Sequence, residues 1–262
     1  IINIITKKSS RYDWEIKPYI QEETLGTEYG FFDQGRHIQS IKIAHDINEH
    51  WYADASFTRN DFTGYANERQ GKDHPFNDGL RGFEWLPKQQ YTGKALLKYT
   101  GKNLNVFYRF EYFDEQVSRY DSLVRENYNS STQTSRPTAS DEIFYSDRMF
   151  HHLNLNGKFL TQIDYDISLS HQQQSRDIER YNYRIYTGEK TDVETGEYQS
   201  RKGVYSRGTF TGFLDSQKYN LQLGYELSNI NGFSSAIAGD FDGENIERRL
   251  ESYDVFTTME LP

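Results

Sequence analysis

The 262-residue chain contains no cysteine, which excludes disulfides, thiolate zinc sites and cysteine nucleophiles together. It has no long apolar run, and its mean hydropathy is -0.89, so no helix of it can serve as a membrane span. Positive charge is short as well: Lys plus Arg number 30 against 39 Asp plus Glu, a net charge of -9 with a pI near 5.3. Nucleic acid is therefore not expected as a partner, because phosphate binding needs a concentrated cationic face. Aliphatic residues are scarce too, since taking the 16% aromatic from the 35% hydrophobic fraction leaves a poor supply for a soluble core. What is abundant is aromatic: 21 Tyr, 17 Phe and 3 Trp.

The aromatics sit in segments of strict alternation. Leu104, Val106, Tyr108, Phe110 and Tyr112 interleave with Asn105, Phe107, Arg109 and Glu111. Tyr219, Leu221, Leu223, Tyr225 and Leu227 interleave with Asn220, Gln222, Gly224, Glu226 and Ser228. A helix would scatter those polar residues around its circumference, whereas a strand sends them all to one face. The pattern predicts ten strands, at 12–21, 37–45, 51–60, 90–99, 104–113, 149–158, 163–173, 204–213, 218–228 and 249–260. Connections then alternate in length. Those at 22–36, 61–89, 114–148, 174–203 and 229–248 are long; those at 46–50, 100–103, 159–162 and 214–217 are tight, with turn chemistry such as Thr100-Gly101-Lys102-Asn103.

Segregated loop lengths are the mark of an up-and-down meander across a slab, short periplasmic turns on one side and long extracellular loops on the other. A ten-residue strand tilted by about 45° rises roughly 23 Å, close to the apolar band of an outer-membrane barrel. Trp51, Tyr99, Phe159 and Tyr219 lie beside the tight turns, and Phe57, Tyr91, Phe110 and Tyr112 near the opposite ends, as two interfacial girdles require. The alternate face carries Lys42, Asp54, Lys94, Lys98, Arg109, Glu111, Lys158, Asp164, Asp166, Arg207, Glu226 and Asp254. In a bilayer these charges must line the lumen, since a lipid-facing Lys or Arg costs about 2–4 kcal/mol at the midplane. The expected fold is an all-β, antiparallel up-and-down transmembrane β-barrel.

The first residues, Ile1-Ile2-Asn3-Ile4-Ile5-Thr6-Lys7, form a compact apolar stretch suited to a strand buried on both faces. Ile2 to Lys7 resembles the motif that ends the plug domain of TonB-dependent outer-membrane transporters and leads into their first barrel strand. The resemblance implies that residues 1–8 close a plug domain, that 9–262 form about ten strands of a larger barrel of about 22, and that the chain is a piece of a longer protein. It also implies an outer-membrane location and no enzymatic activity. The partners it implies are TonB through an N-terminal region, the protein's own plug and remaining barrel strands, the lipid bilayer and a small-molecule nutrient. The Ile-Ile-Thr-Lys form is more similar to importers of siderophore-bound iron, haem or cobalamin than to glycan importers. Tyr- and Asn-rich loops such as 114–148 resemble those of Bacteroidota transporters, which often carry a surface lipoprotein partner.

No cofactor is expected. Trp85, Tyr181, Tyr183 and Tyr186 stand in long polar loops, where they could contact a ligand or pack the loops together. Asp240, Asp242 and Glu244 alternate around a glycine turn, an oxygen array of the kind a structural Ca²⁺ uses, without the complete twelve-residue loop. His151 and His152 must face opposite sides of one strand and so cannot share a metal. Two other readings remain open from the residues alone: a closed ten-stranded barrel with a hydrolytic rim built from Asp114, Glu115, His171 and Asp177, and a soluble β-rich surface adhesin.

Overall fold

A computed structural model describes residues 12–24, 28–66, 74–76, 78–160, 162–213, 219–236 and 244–260. The plug-like Ile1–Lys7 segment, the tight turn at 214–217, and Asp240 and Asp242 lie outside the described residues. Among the described residues ten strands form one antiparallel sheet in strict chain order. They are β1 (Trp14–Glu23), β2 (Arg36–Asp46), β3 (Trp51–Phe62), β4 (Lys88–Thr100), β5 (Leu104–Arg119), β6 (Thr138–Phe159), β7 (Ile163–Arg184), β8 (Glu189–Thr211), β9 (Asn220–Ser234) and β10 (Ile246–Glu260). Among the described residues no helix is long and apolar enough to cross a membrane. Among the described residues the sheet does not close on itself: β1 and β10 are its two edges, which overturns the reading of a complete ten-stranded barrel.

Tight turns are made locally. Asn48 Oδ1 accepts the backbone N–H groups of His50 and Trp51 at 2.9 and 3.0 Å, an Asx turn that reverses the chain between β2 and β3. Between β4 and β5, Gly101 N–H donates to the Leu104 carbonyl at 2.9 Å.

Register decides which side chains share a face. Ile16 opposes Ile43, Ile43 opposes Ala55, Ala55 opposes Ala95, and Ala95 opposes Phe110, one apolar row across five strands. The other face collects all twelve charged residues expected there, Lys42 to Asp254. The apolar face is open to its surroundings, with Ile16, Phe57, Leu97, Leu223 and Val255 exposed. Its upper limit runs obliquely. On β1 it lies at Ile20, in the row of Asp114; on β5 it lies at Tyr112; on β10 it lies at Tyr253, in the row of Tyr108. Strands tilted against a level apolar layer produce such a diagonal boundary, because each register row climbs across the layer. The expected girdles stand at its margins: Trp51 lies 4.9 Å from Tyr99, ring to ring, and Phe57 stacks 6.0 Å from Tyr91.

One expected feature is corrected. The connection 174–203 is not a long loop, because β7 and β8 run 22 and 23 residues and meet in a turn at 185–188 where Gly188 takes a φ of +69°. Likewise β5 continues to Arg119 and β6 begins at Thr138, so the loop expected at 114–148 shrinks to its middle. The alternation fades there because both faces leave the apolar layer. Cross-strand ion pairs take over, with Arg180 Nε 2.9 Å from Glu142, Lys190 Nζ 2.7 Å from Glu179 and Arg184 Nη1 2.5 Å from Glu189.

Candidate functional site at the inner wall and the upper rim

At mid-height on the charged face, Glu111 of β5 gathers three cations. Arg109 Nη2 lies 2.5 Å and Arg148 Nη2 2.8 Å from its carboxylate, and Lys94 Nζ 3.9 Å. Alternation places Arg109 and Glu111 on one face, and register brings Lys94 of β4 directly opposite Glu111. Arg148 comes from β6 and also stands over the Phe113 ring at 5.5 Å. Lower on the wall the pairing is balanced, with Lys42 3.2 Å from Asp54 and Lys158 3.3 Å from Asp164.

Above the apolar band a second construction joins two loops to the tall strands. The Arg81 side chain is fully buried. Its Nη1 and Nη2 donate to the two carboxylate oxygens of Asp141 at 3.0 Å each, its Nε to Asp78 at 2.8 Å, and Nη1 also to the Asp121 carbonyl at 2.6 Å. Asp121 N–H returns a bond to Asp141 at 3.0 Å. Burial works against the charged guanidinium, but the hydrogen bonds and charges of Asp141 and Asp78 outweigh it and hold Arg81 above its ordinary pKa. A buried cation so fully bonded is safe in place and costly to break. Sequence reading missed this group, since an Arg in a polar loop carries no signal of its burial.

The loop aromatics do not converge. Tyr181 and Tyr183 belong to β7. The first is 4% exposed with Lys190 Nζ 4.0 Å above its ring, and the Arg81 guanidinium lies 5.6 Å from the second. Burial, then the charge of Asp141, pushes the Tyr181 phenol up, so it stays neutral. Tyr186 sits exposed at the β7–β8 turn, and Trp85 is exposed in the β3–β4 loop, bonded through its backbone to Tyr65. Glu244 is exposed; among the described residues no group of three or more His, Asp or Glu could hold a metal. His151 faces out, opposite His171, while His152 faces in, opposite Arg109. The residues of the hydrolytic reading are not brought together: Asp114, His171 and Asp177 lie on the outward face and Glu115 on the inward one.

The same tilted, one-layer sheet occurs in known structures. The copper transporter OprC matches 86% of this chain with 34% of its own, at a TM-score of 0.51 and 9% identity. This is the fold of a TonB-dependent receptor barrel. Also similar are the ferric citrate transporter FecA (TM-score 0.47, 8% identity, 97% of this chain and 38% of that one) and the ferric yersiniabactin uptake receptor FyuA from Yersinia pestis (TM-score 0.44, 13% identity, 94% and 37%). No protein-family model and no curated protein matches the chain. The chain thus spans little more than a third of the length of these structures. In a receptor barrel the apolar band faces lipid, the Glu111 cluster faces the lumen, and the Arg81 cluster braces the wall above the membrane on the side of the longer loops.

Proposed function

We propose that the chain is part of the barrel wall of an outer-membrane receptor that imports a scarce nutrient, such as siderophore-bound iron, haem or a cobalamin-like ligand, by TonB-dependent transport. The observation that carries this reading is the open sheet with an oblique apolar band outside and charges inside. Two unpaired edges in hydrocarbon would leave backbone groups at several kcal/mol apiece, so the wall needs further strands to close it. A polar lumen needs an occupant or water, and Glu111 with its three cations suits contact with a plug. The barrel performs no covalent step: substrate binds at the long-loop mouth, and force on the plug from periplasmic TonB opens the path. Trp85 and Tyr186, both exposed, are ligand-contact candidates; Tyr181 and Tyr183 serve the wall. The acidic turn that includes Glu244 is a candidate structural Ca²⁺ loop, and a surface lipoprotein is a candidate partner of the outer loops.

Uptake by cells producing the intact receptor, with and without TonB, tests the proposal. Energy-dependent accumulation that disappears without TonB is expected; equal passage in both strains overturns it. The exposed apolar band disfavours the soluble adhesin reading, because such a surface in water would associate.

A further inference from the structure

We propose that the inner wall at the long-loop mouth is a binding surface for a small polyanion, held by Arg148, Arg176, Arg201 and Arg248. This names the substrate class of the import reading and rests on it. Register puts three of these in one row of the inward face: Arg148 opposes Gln174, Gln174 opposes Arg201, Arg201 opposes Gly232, and Gly232 opposes Arg248. Arg176 stands one inward position higher on β7, opposite Ser146 and Gln199. The row lies at the upper limit of the apolar band on β6, where Arg148 stands beside Met149 in the row of Tyr112, and rises above it toward β10, where Arg248 stands five residues higher than Tyr253. A solute entering from the long-loop side passes the paired Glu142 and Arg180 higher on the same face and then meets this row.

The cations are under-matched. Arg148 shares Glu111 with Arg109 and Lys94. Arg176 makes no ion pair among the described residues and has aromatic neighbours, its guanidinium 4.5 Å from the Phe144 ring and 5.9 Å from that of Tyr198. Arg201 and Arg248 are exposed, and among the described residues neither makes an ion pair. Lower on the same wall the cations have acids at hand, as at Lys42–Asp54 and Lys158–Asp164.

Space is available between them. Gly232 separates Arg201 from Arg248 by two strand spacings, about 10 Å at the backbone, and a Cβ there would meet nothing nearer than the Ser200 carbonyl at 3.8 Å. Two long guanidinium forks over an unfilled floor can close on one carboxylate or phosphate group bidentately. Concave walls focus the field of such charges.

The excess is local, since the chain as a whole carries -9. The outward face of the same tall strands is acidic, with Asp147, Asp177, Glu179 and Glu197. A large polyanion such as nucleic acid would be repelled by that face, whereas a small one passes it and meets the arginines inside.

Equilibrium binding to the detergent-purified intact receptor tests the site, with pyrophosphate and ferric citrate as anionic probes and a neutral ferric trihydroxamate as control. Both anions are expected to bind, more weakly at high salt, and at least tenfold more tightly than the neutral chelate. Arg201→Gln with Arg248→Gln should weaken them tenfold or more, and Arg201→Lys with Arg248→Lys by less. Should the double variant misfold, Arg248→Gln alone, at an exposed position without an ion pair, carries the test. The proposal is overturned if neither anion binds, if the neutral chelate binds as tightly, or if folded Gln variants keep parental affinity. It is equally overturned if those variants loosen the plug in hydrogen exchange without affecting anion binding, which would assign the arginines to an acidic plug surface. The two readings fail separately: TonB-dependent uptake of a neutral or cationic ligand alone would sink the anion site and leave the import function standing, and anion binding without energised uptake would do the reverse.

Discussion

β1 to β3 run 10, 11 and 12 residues, and β6 to β8 run 22, 22 and 23. The short strands stop near the edges of the apolar band, whereas the tall ones rise about 50 Å at a 45° tilt, twice the band's height of about 25 Å. The two regions obey opposite solvent rules. At band level the large apolar residues point outward and stay exposed, as do Ile16, Ile43 and Leu97; in the tall region Ala139, Ile143, Phe144, Ile178 and Tyr181 are buried. Lipid fixes the length of the first region by matching its thickness. Only the wall's own packing holds up the second, so it needs a core, and Arg81 with Asp141 stands within it.

The largest expected effect breaks that core. Arg81→Leu leaves Asp141 buried without its cation, a loss of about 3–5 kcal/mol. Hydrogen exchange should accelerate across 138–146, 177–184 and the 78–87 loop while the band-level halves of the strands remain protected. Global unfolding would mean that the two regions are a single cooperative unit.

The next effect probes the lipid-matched region. Ala95 lies mid-band on the outward face, between Tyr91 and Tyr99. Ala95→Arg should cost the closed barrel about 2–4 kcal/mol in reversible unfolding from lipid vesicles. The outward-facing, exposed Thr195 of the tall wall should accept Arg within about 0.5 kcal/mol. Equal costs at the two positions would erase the distinction.

The smallest effect is a titration on the tall wall. Asp177, eight residues beyond Leu169 on β7, has its carboxyl pKa raised by burial and then by the charges of Glu197 and Asp147. A raised acid pKa means the folded state holds its proton more tightly than the unfolded chain. Stability is therefore lost as pH climbs from about 4 through the folded value and is recovered on acidification. Asp177→Asn should raise the melting temperature slightly at pH 7 and leave it unchanged near pH 3. A rise of equal size at both values would exclude a charge origin.

Strand positions were legible where one face had to be apolar. Tyr108, Phe110 and Tyr112 against Arg109 and Glu111 announced β5, and the same rule placed all twelve inward charges correctly. The rule fell silent beyond the band, where Gln174 to Arg184 reads as a polar loop and is a strand. Its cross-strand partners, Glu142, Lys190 and Glu189 among them, are distant or oppositely charged rather than periodic. Of the nominated aromatics, Trp85 and Tyr186 are in connections as expected, whereas Tyr181 and Tyr183 are in β7. The arginine row escaped for a related reason: Arg148, Arg201 and Arg248 are scattered along the chain and become neighbours only across Gln174 and Gly232.

By itself the sequence determined the number of strands, their facing and the slab they cross, because period-two alternation and turn residues act between near neighbours and need no fold to express them. Only the tertiary structure decided how far the strands climb above the slab, that Arg81 is buried, and that four separate arginines share one mouth. Those depend on register between strands, and register is settled by packing and charge pairing across the sheet rather than along it.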